Sequence, residues 1–141
     1  MISQILSIFK PKEAQKHIKV LVIDDGAVDR RLVCAAIERG GYTALKANNG
    51  KSGLELAQEQ KPNLIILDYN LPDIKGPEVR ELLKTHGETQ QIPVLFLTSL
   101  TAPGNVIKCF EEGGNYLAKP ISTKLLLKQI NSMLKDTQPP N

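Results

Sequence analysis

Three uninterrupted apolar runs punctuate the chain: Val20-Leu21-Val22-Ile23, Leu64-Ile65-Ile66-Leu67 and Val94-Leu95-Phe96-Leu97. Apolar residues without alternation predict strands buried on both faces, as inside a parallel sheet. Each run stops at polar residues: Asp24-Asp25, Asp68 and Thr98-Ser99. The stretches between them carry the other period. From Asp29 to Arg39, Leu32, Val33, Ala36 and Ile37 fall at helical spacing, and Gly40-Gly41 closes the segment. Asn49-Gly50 alone would suggest a hairpin, but Leu54, Leu56 and Ala57 predict a helix through Gln60, punctuated by Pro62.

Further helices are predicted over about Pro77–Thr85 and Asn105–Glu112, the latter closed by Gly113-Gly114. A last one starts at Ser122, a capping residue, with Leu126, Ile130, Met133 and Leu134 on one face. The remaining strands are shorter: Thr43–Ala47, suited to a sheet edge, and Tyr116–Ala118 before Lys119-Pro120. The first core strand is placed from about Ile18 to Asp24. Five strands alternate strictly with five helices. Right-handed crossovers make that a doubly wound α/β fold with a parallel sheet. Ahead of it, Ile2, Ile5, Leu6 and Phe9 form one face of a short helix that Pro11 ends.

The 141 residues suit one domain with a fair-sized core. The formal net charge of +3 is local. Lys10, Lys12, Lys16 and Lys19 against Glu13 account for it, and the rest of the chain is balanced. The body therefore offers no basic field for nucleic acid. The sequence divides into a basic amphipathic leader over 1–17, a domain over 18–136 and a flexible tail over 137–141. The leader is too short to be a stable helix alone, so it docks on the domain, on a second copy in a homodimer, on a partner or an anionic membrane surface, or it stays disordered. Cys34 and Cys109 have no metal-ligand spacing and read as small apolar fillers on opposite sides of the sheet. Free thiols point to a reducing, cytoplasmic compartment. No apolar run approaches the roughly 18 residues of a membrane span, and the start lacks a secretory signal.

Several site motifs are excluded. Gly50-Lys51-Ser52 imitates the end of a phosphate-binding loop, but the required first glycine falls at Leu45. No G-x-G-x-x-G follows a strand, and there is no serine elbow or H-E-x-x-H. His17 and His86 are isolated and read as solvated surface residues. The acids at the strand ends are different. Singly, Asp24-Asp25 would cap a helix, Asp68 would belong to a turn, Thr98 would satisfy backbone groups and Lys119 would be solvated. In an open parallel sheet, however, carboxyl ends lying side by side share one crevice. Three carboxylates there repel one another and call for a cation. Mg²⁺ or Mn²⁺ suits a few carboxylates, waters and phosphate oxygens. An aspartate nucleophile, a metal, a lysine and a hydroxyl make a phosphoryl-transfer site.

From about Ile18 to Asp136 the chain resembles the receiver domain of two-component response regulators. The resemblance is carried by Val20-Leu21-Val22-Ile23-Asp24-Asp25, by Leu67-Asp68-Tyr69-Asn70-Leu71-Pro72 with Gly76, by Ile92-Pro93-Val94 leading to Thr98-Ser99, and by Tyr116-Leu117-Ala118-Lys119-Pro120. It implies a five-stranded flavodoxin-like sheet of order 2-1-3-4-5. It implies Asp68 as phosphoacceptor, served by a sensor histidine kinase or a histidine phosphotransfer protein. Asp25, Asp68 and the Asn70 backbone carbonyl would bind the metal, with Asp24 assisting through water. Lys119 would pair with the phosphoryl oxygens, Thr98 and Tyr116 would form a switch pair, and Lys119-Pro120 would be cis.

Gly26-Ala27 departs from the family's acid-then-proline, which implies a looser start to the first helix. The run Gly113-Gly114-Asn115 is one residue shorter than usual. The domain fills the sequence, so a stand-alone regulator signalling through protein contacts, or a phosphorelay intermediate, is expected. Such a domain is a signalling module, limited to metal-dependent self-phosphorylation and autodephosphorylation. An aspartate-nucleophile phosphatase would need a second acid where Asn70 stands. A flavin-binding domain fits poorly with 4% aromatic residues and no phosphate-cradling loop.

Overall fold

A computed structural model describes residues 17–99 and 115–135. The leader stripe from Ile2 to Phe9, the Asn105–Glu112 helix with Cys109, and the tail from 137 lie outside the described residues. Within them the order is β1 (Lys19–Ile23), α1 (Ala27–Arg39), β2 (Thr43–Ala47), α2 (Gly50–Gln60), β3 (Leu64–Asp68), α3 (Gly76–Lys84), β4 (Val94–Ser99), β5 (Asn115–Lys119) and α4 (Thr123–Leu134). The strands form one parallel sheet of order β2-β1-β3-β4-β5. This is the expected doubly wound, flavodoxin-like arrangement.

The unbroken apolar strands supply both faces of the sheet, because successive side chains point to opposite sides. Val20, Val22, Leu64, Ile66, Leu95 and Leu97 meet Val33, Ile37, Leu126 and Ile130 of α1 and α4. Leu21, Ile23, Ile65, Leu67 and Phe96 meet Ala57 of α2 and Val79 and Leu83 of α3. Each fully buried aliphatic or aromatic chain contributes about 1.5–3 kcal/mol, so the two layers hold the central strands firmly and fix where their ends fall.

Local signals set the boundaries. Asn49 caps α2 by accepting from the Ser52 amide at 2.8 Å, which is why Asn49-Gly50 opens a helix and not a hairpin. Ser122 caps α4 through the Leu125 amide at 3.3 Å. Gly41 adopts φ 95°, a left-handed conformation open to glycine, as α1 ends. Helix α1 begins at Ala27, two residues earlier than its apolar spacing suggests, with the extended Gly26 as a cap that has no side chain. Its buried face is Val33, Cys34, Ala36 and Ile37. Leu32, expected on that face, is 40% exposed, because it lies at the edge of a stripe that Cys34 completes. Strand β5 runs two residues longer than its apolar core, since pairing with β4 continues to Ser99 opposite Lys119. His17 and His86 are both exposed. Among the described residues, no helix is long and apolar enough to cross a membrane.

Candidate functional site

The sheet register assembles the site. Ile23 pairs with Leu67, so Asp24 and Asp68 leave adjacent strands side by side. Asp68 pairs with Leu97, and Thr98 and Ser99 pair with Ala118 and Lys119. The carboxyl ends of four strands thus deliver Asp24, Asp68, Thr98 and Lys119 to one crevice. Asp25 follows at its rim.

Asp24 and Asp68 are buried and Asp25 is exposed. One carboxylate oxygen from each lies within 4.8 Å of the others. Lys119 Nζ reaches in from β5, 3.2 Å from Asp24 Oδ2 and 3.7 Å from Asp68 Oδ2. Asp24 is held on both sides. Its Oδ1 accepts from the Gly26 amide at 2.9 Å, and its carbonyl accepts from Arg30 Nη1 at 2.8 Å. Asp68 Oδ1 accepts from the Asn70 amide at 3.3 Å.

The electrostatics follow from this crowding. Burial pushes the Asp68 carboxyl up from its ordinary 3.8 to about 6; Lys119 pulls the other way, Asp24 raises it again, the Asn70 amide lowers it, and Asp25 adds a last upward push. For Lys119, burial alone would lower the ammonium, but Asp68, Asp29 and Asp24 outweigh it and hold it above its usual range. Lys119, shared among Asp24, Asp29 and Asp68, does not balance the charge of the acids around it. The donor set fits a hard divalent cation: three carboxylates with convergent oxygens, one of them at an open rim beside the exposed Asn70.

The other sequence-derived residues are also placed. Thr98 is buried beside the crevice, with its hydroxyl 3.5 Å from the Ser99 carbonyl. Tyr116 pairs with Phe96, two residues before Thr98 on β4, and is half-buried. Alternation puts the Thr98 and Tyr116 side chains on the same sheet face, one pair apart. Lys119-Pro120 is cis. The glycine at position 26 does not delay the first helix, because the Gly26 amide bonds to Asp24 and its carbonyl accepts from the Arg30 amide at 2.9 Å.

Three supports escaped the sequence reading as site residues. Asp29 Oδ2 lies 3.1 Å from Lys119 Nζ. Asp73, in the loop after Asp68, accepts from the Gly50 amide at 2.7 Å and the Lys51 amide at 2.8 Å. Those bonds hold its carboxyl below the usual range. The available signal was that α2 has no acid in its own first turn, so Asp73 supplies one from across the loop. Gly76 sits against the loop so closely that a Cβ there would meet the Asp68 carbonyl at 2.7 Å and Tyr69 Cα at 2.9 Å. Its amide bonds the Tyr69 carbonyl at 2.9 Å. Glycine here lets the loop carrying Asn70 fold back over the strand end.

A five-stranded 2-1-3-4-5 sheet with an acid triad and a lysine at its carboxyl edge defines a receiver-type signalling fold. Residues 20–131 match the family model of the response regulator receiver domain, and the chain belongs to that family. It is 34% identical over 118 residues to the polar-differentiation response regulator DivK of Brucella anthropi, covering 83% of this chain and 96% of that protein. It is 32% identical over 117 residues to protein PilH of Pseudomonas aeruginosa, covering 82% and 97%. Among solved structures, the Vibrio cholerae chemotaxis protein CheY4 superposes with a TM-score of 0.76 at 30% identity, covering 83% of this chain and 98% of that one.

Proposed function

We propose that this receiver domain takes a phosphoryl group onto Asp68 from a phosphohistidine of a sensor kinase or a histidine phosphotransfer protein. The observation that carries this reading is the convergence of Asp24, Asp25 and Asp68 within 4.8 Å, with Lys119 3.7 Å from Asp68. In the transfer, an Asp68 carboxylate oxygen attacks phosphorus, the O–P bond forms, and the P–N bond breaks with its electron pair returning to the imidazole. Asp24, Asp25, Asp68 and the Asn70 backbone carbonyl would hold Mg²⁺ or Mn²⁺, which supplies charge neutralisation for the phosphoryl oxygens when bound. Lys119 pairs with one of those oxygens, and Thr98 donates its hydroxyl to another. The Asn70 amide and the Gly76 packing keep the acceptor carboxylate aimed into the crevice.

The output is phosphorylation-dependent protein binding or onward phosphorelay. Movement of Thr98 toward the phosphoryl group would open space on the face it shares with Tyr116. Tyr116 filling that space would reshape the surface around β5; Leu127, also expected there, packs instead beside Gly40 with the α1-side core. Val106 and Ile107, further candidates for that surface from the predicted Asn105–Glu112 helix, lie outside the described residues. The balance between two packings is the signal. Residues 18–136 act as the receiver, and residues 1–17 act as a separate leader for self-association or partner contact. The long coverage of DivK and PilH supports a role of the same scale as those proteins.

Acetyl phosphate with Mg²⁺ tests the reading. The protein gains one acid-stable, base-labile phosphoryl group, lost with a chelator or in Asp68→Asn. Undiminished labelling of Asp68→Asn contradicts it.

A further inference from the structure

Lys119 is shared unequally. Its ammonium lies 3.1 Å from Asp29, 3.2 Å from Asp24 and 3.7 Å from Asp68. Asp29, the one of these acids outside the three-carboxylate cluster, thus holds the ammonium as closely as Asp24 does. Asp29 is the third residue of α1, where an acid often reaches back to the cap amide. That amide, of Gly26, is already bonded to Asp24 Oδ1 at 2.9 Å. The Asp29 carboxylate instead turns across the crevice to Lys119. Its side chain is 39% exposed, against 0% for Asp24, so it can let the ammonium go without leaving a charge buried.

We propose that Asp29 is a positioning residue that sets the resting place of Lys119 and so restrains phosphoryl uptake at Asp68. The proposal rests on Asp68 as phosphoacceptor. A phosphoryl group on Asp68 needs the ammonium beside its own oxygens. Asp29 competes for that ammonium and also repels the incoming anion. Both effects favour the unphosphorylated chain, and both disappear with the Asp29 charge.

Asp29→Asn keeps the shape and removes the charge. With acetyl phosphate and Mg²⁺, an Asp68 oxygen attacks phosphorus and acetate leaves with the electron pair of the broken O–P bond. The rate constant for this step should rise about two- to fivefold in Asp29→Asn, the range for a partly exposed ion pair. Beryllofluoride, which mimics the phosphoryl group without a bond-breaking step, should bind tighter by a similar factor in an NMR titration. Asp29→Ser, too short to reach Lys119, should repeat both effects. Asp29→Glu, which restores the charge, should return both to the wild-type values, a rescue that a packing role alone would not give. Wild-type labelling with no gain in folded Asp29→Asn and Asp29→Ser overturns the proposal and leaves the phosphoacceptor reading intact. Equal gains in Asp29→Asn and Asp29→Glu also overturn it. Failure of the wild-type chain to label at all removes the underlying reading and the proposal with it.

Discussion

Asp68→Asn should make the metal-free protein more stable at neutral pH, although it removes the proposed acceptor. The folded chain holds the Asp68 carboxyl at about 6, against 3.8 ordinarily. A carboxyl raised that far carries a penalty of about 3 kcal/mol on its charged form. The pull of Lys119 is already contained in that value. The sign follows from proton binding. Between about pH 4 and pH 6 the folded state holds a proton that the unfolded state has lost, so stability falls as pH rises through this window. Above about pH 6 both states are ionised and the full penalty persists. The Asn side chain is uncharged, fills the same space and still accepts from the Asn70 amide. It should therefore gain about 2–3 kcal/mol at pH near 7.5, raising the urea midpoint by about 1–2 M. Urea titrations followed by far-ultraviolet circular dichroism, in a chelator, at pH near 7.5 and near 4, read this directly. The gain should shrink to nearly nothing at the lower pH. A variant no more stable than wild type at neutral pH, or a gain that does not change with pH, refutes the account of the crevice as charge-strained.

Other supports of the site give their own readouts. Gly76→Ala drives a methyl to 2.7 Å from the Asp68 carbonyl, so it should cost about 1–3 kcal/mol in denaturant titrations and slow labelling together; a neutral outcome would mean the loop has room to spare. Asp73→Ala removes both acceptors of the Gly50 and Lys51 amides, and hydrogen exchange at those two amides should speed up more than at α1 amides; unchanged exchange would show that the clasp does not hold α2. Deleting residues 1–16 should leave Asp68 labelling at the wild-type rate while altering self-association or target binding; loss of labelling in a folded truncated protein would place the leader inside the receiver.

Much of this architecture is written in the chain as abrupt changes of polarity. An apolar run that ends at an acid has one sensible place in a parallel sheet, so Asp24, Asp68 and Thr98 could be put at one edge from the sequence alone. Strand β2, over Thr43–Ala47, and strand β3, over Leu64–Asp68, fall where the pattern puts them. What the pattern could not carry is contact between side chains far apart in sequence. The Asp29–Lys119 pair depends on α1 and β5 flanking one crevice, and helical period alone reads Asp29 as a helix-start acid. Asp73 looks like one more turn residue until the loop is seen to cross the start of α2. Leu32 shows the limit of period counting: a stripe says which residues face inward, and its edge is decided by how the neighbouring strand packs. Cys34 is buried as expected, and burial pushes its thiol up; the expectation that it lies across the sheet from Cys109 concerns a residue outside those described.

Phosphoryl transfer to Asp68, as proposed, can be read chemically at the acceptor itself. Borohydride reduces an aspartyl phosphate to homoserine, which leaves a permanent mark at the acceptor. After incubation with Mg²⁺ and acetyl phosphate, borohydride treatment and peptide mass spectrometry should find homoserine at position 68 and at no other aspartate. Homoserine at Asp24, Asp25 or Asp29 with Asp68 unmodified, or no homoserine in a folded protein that holds Mg²⁺, contradicts it.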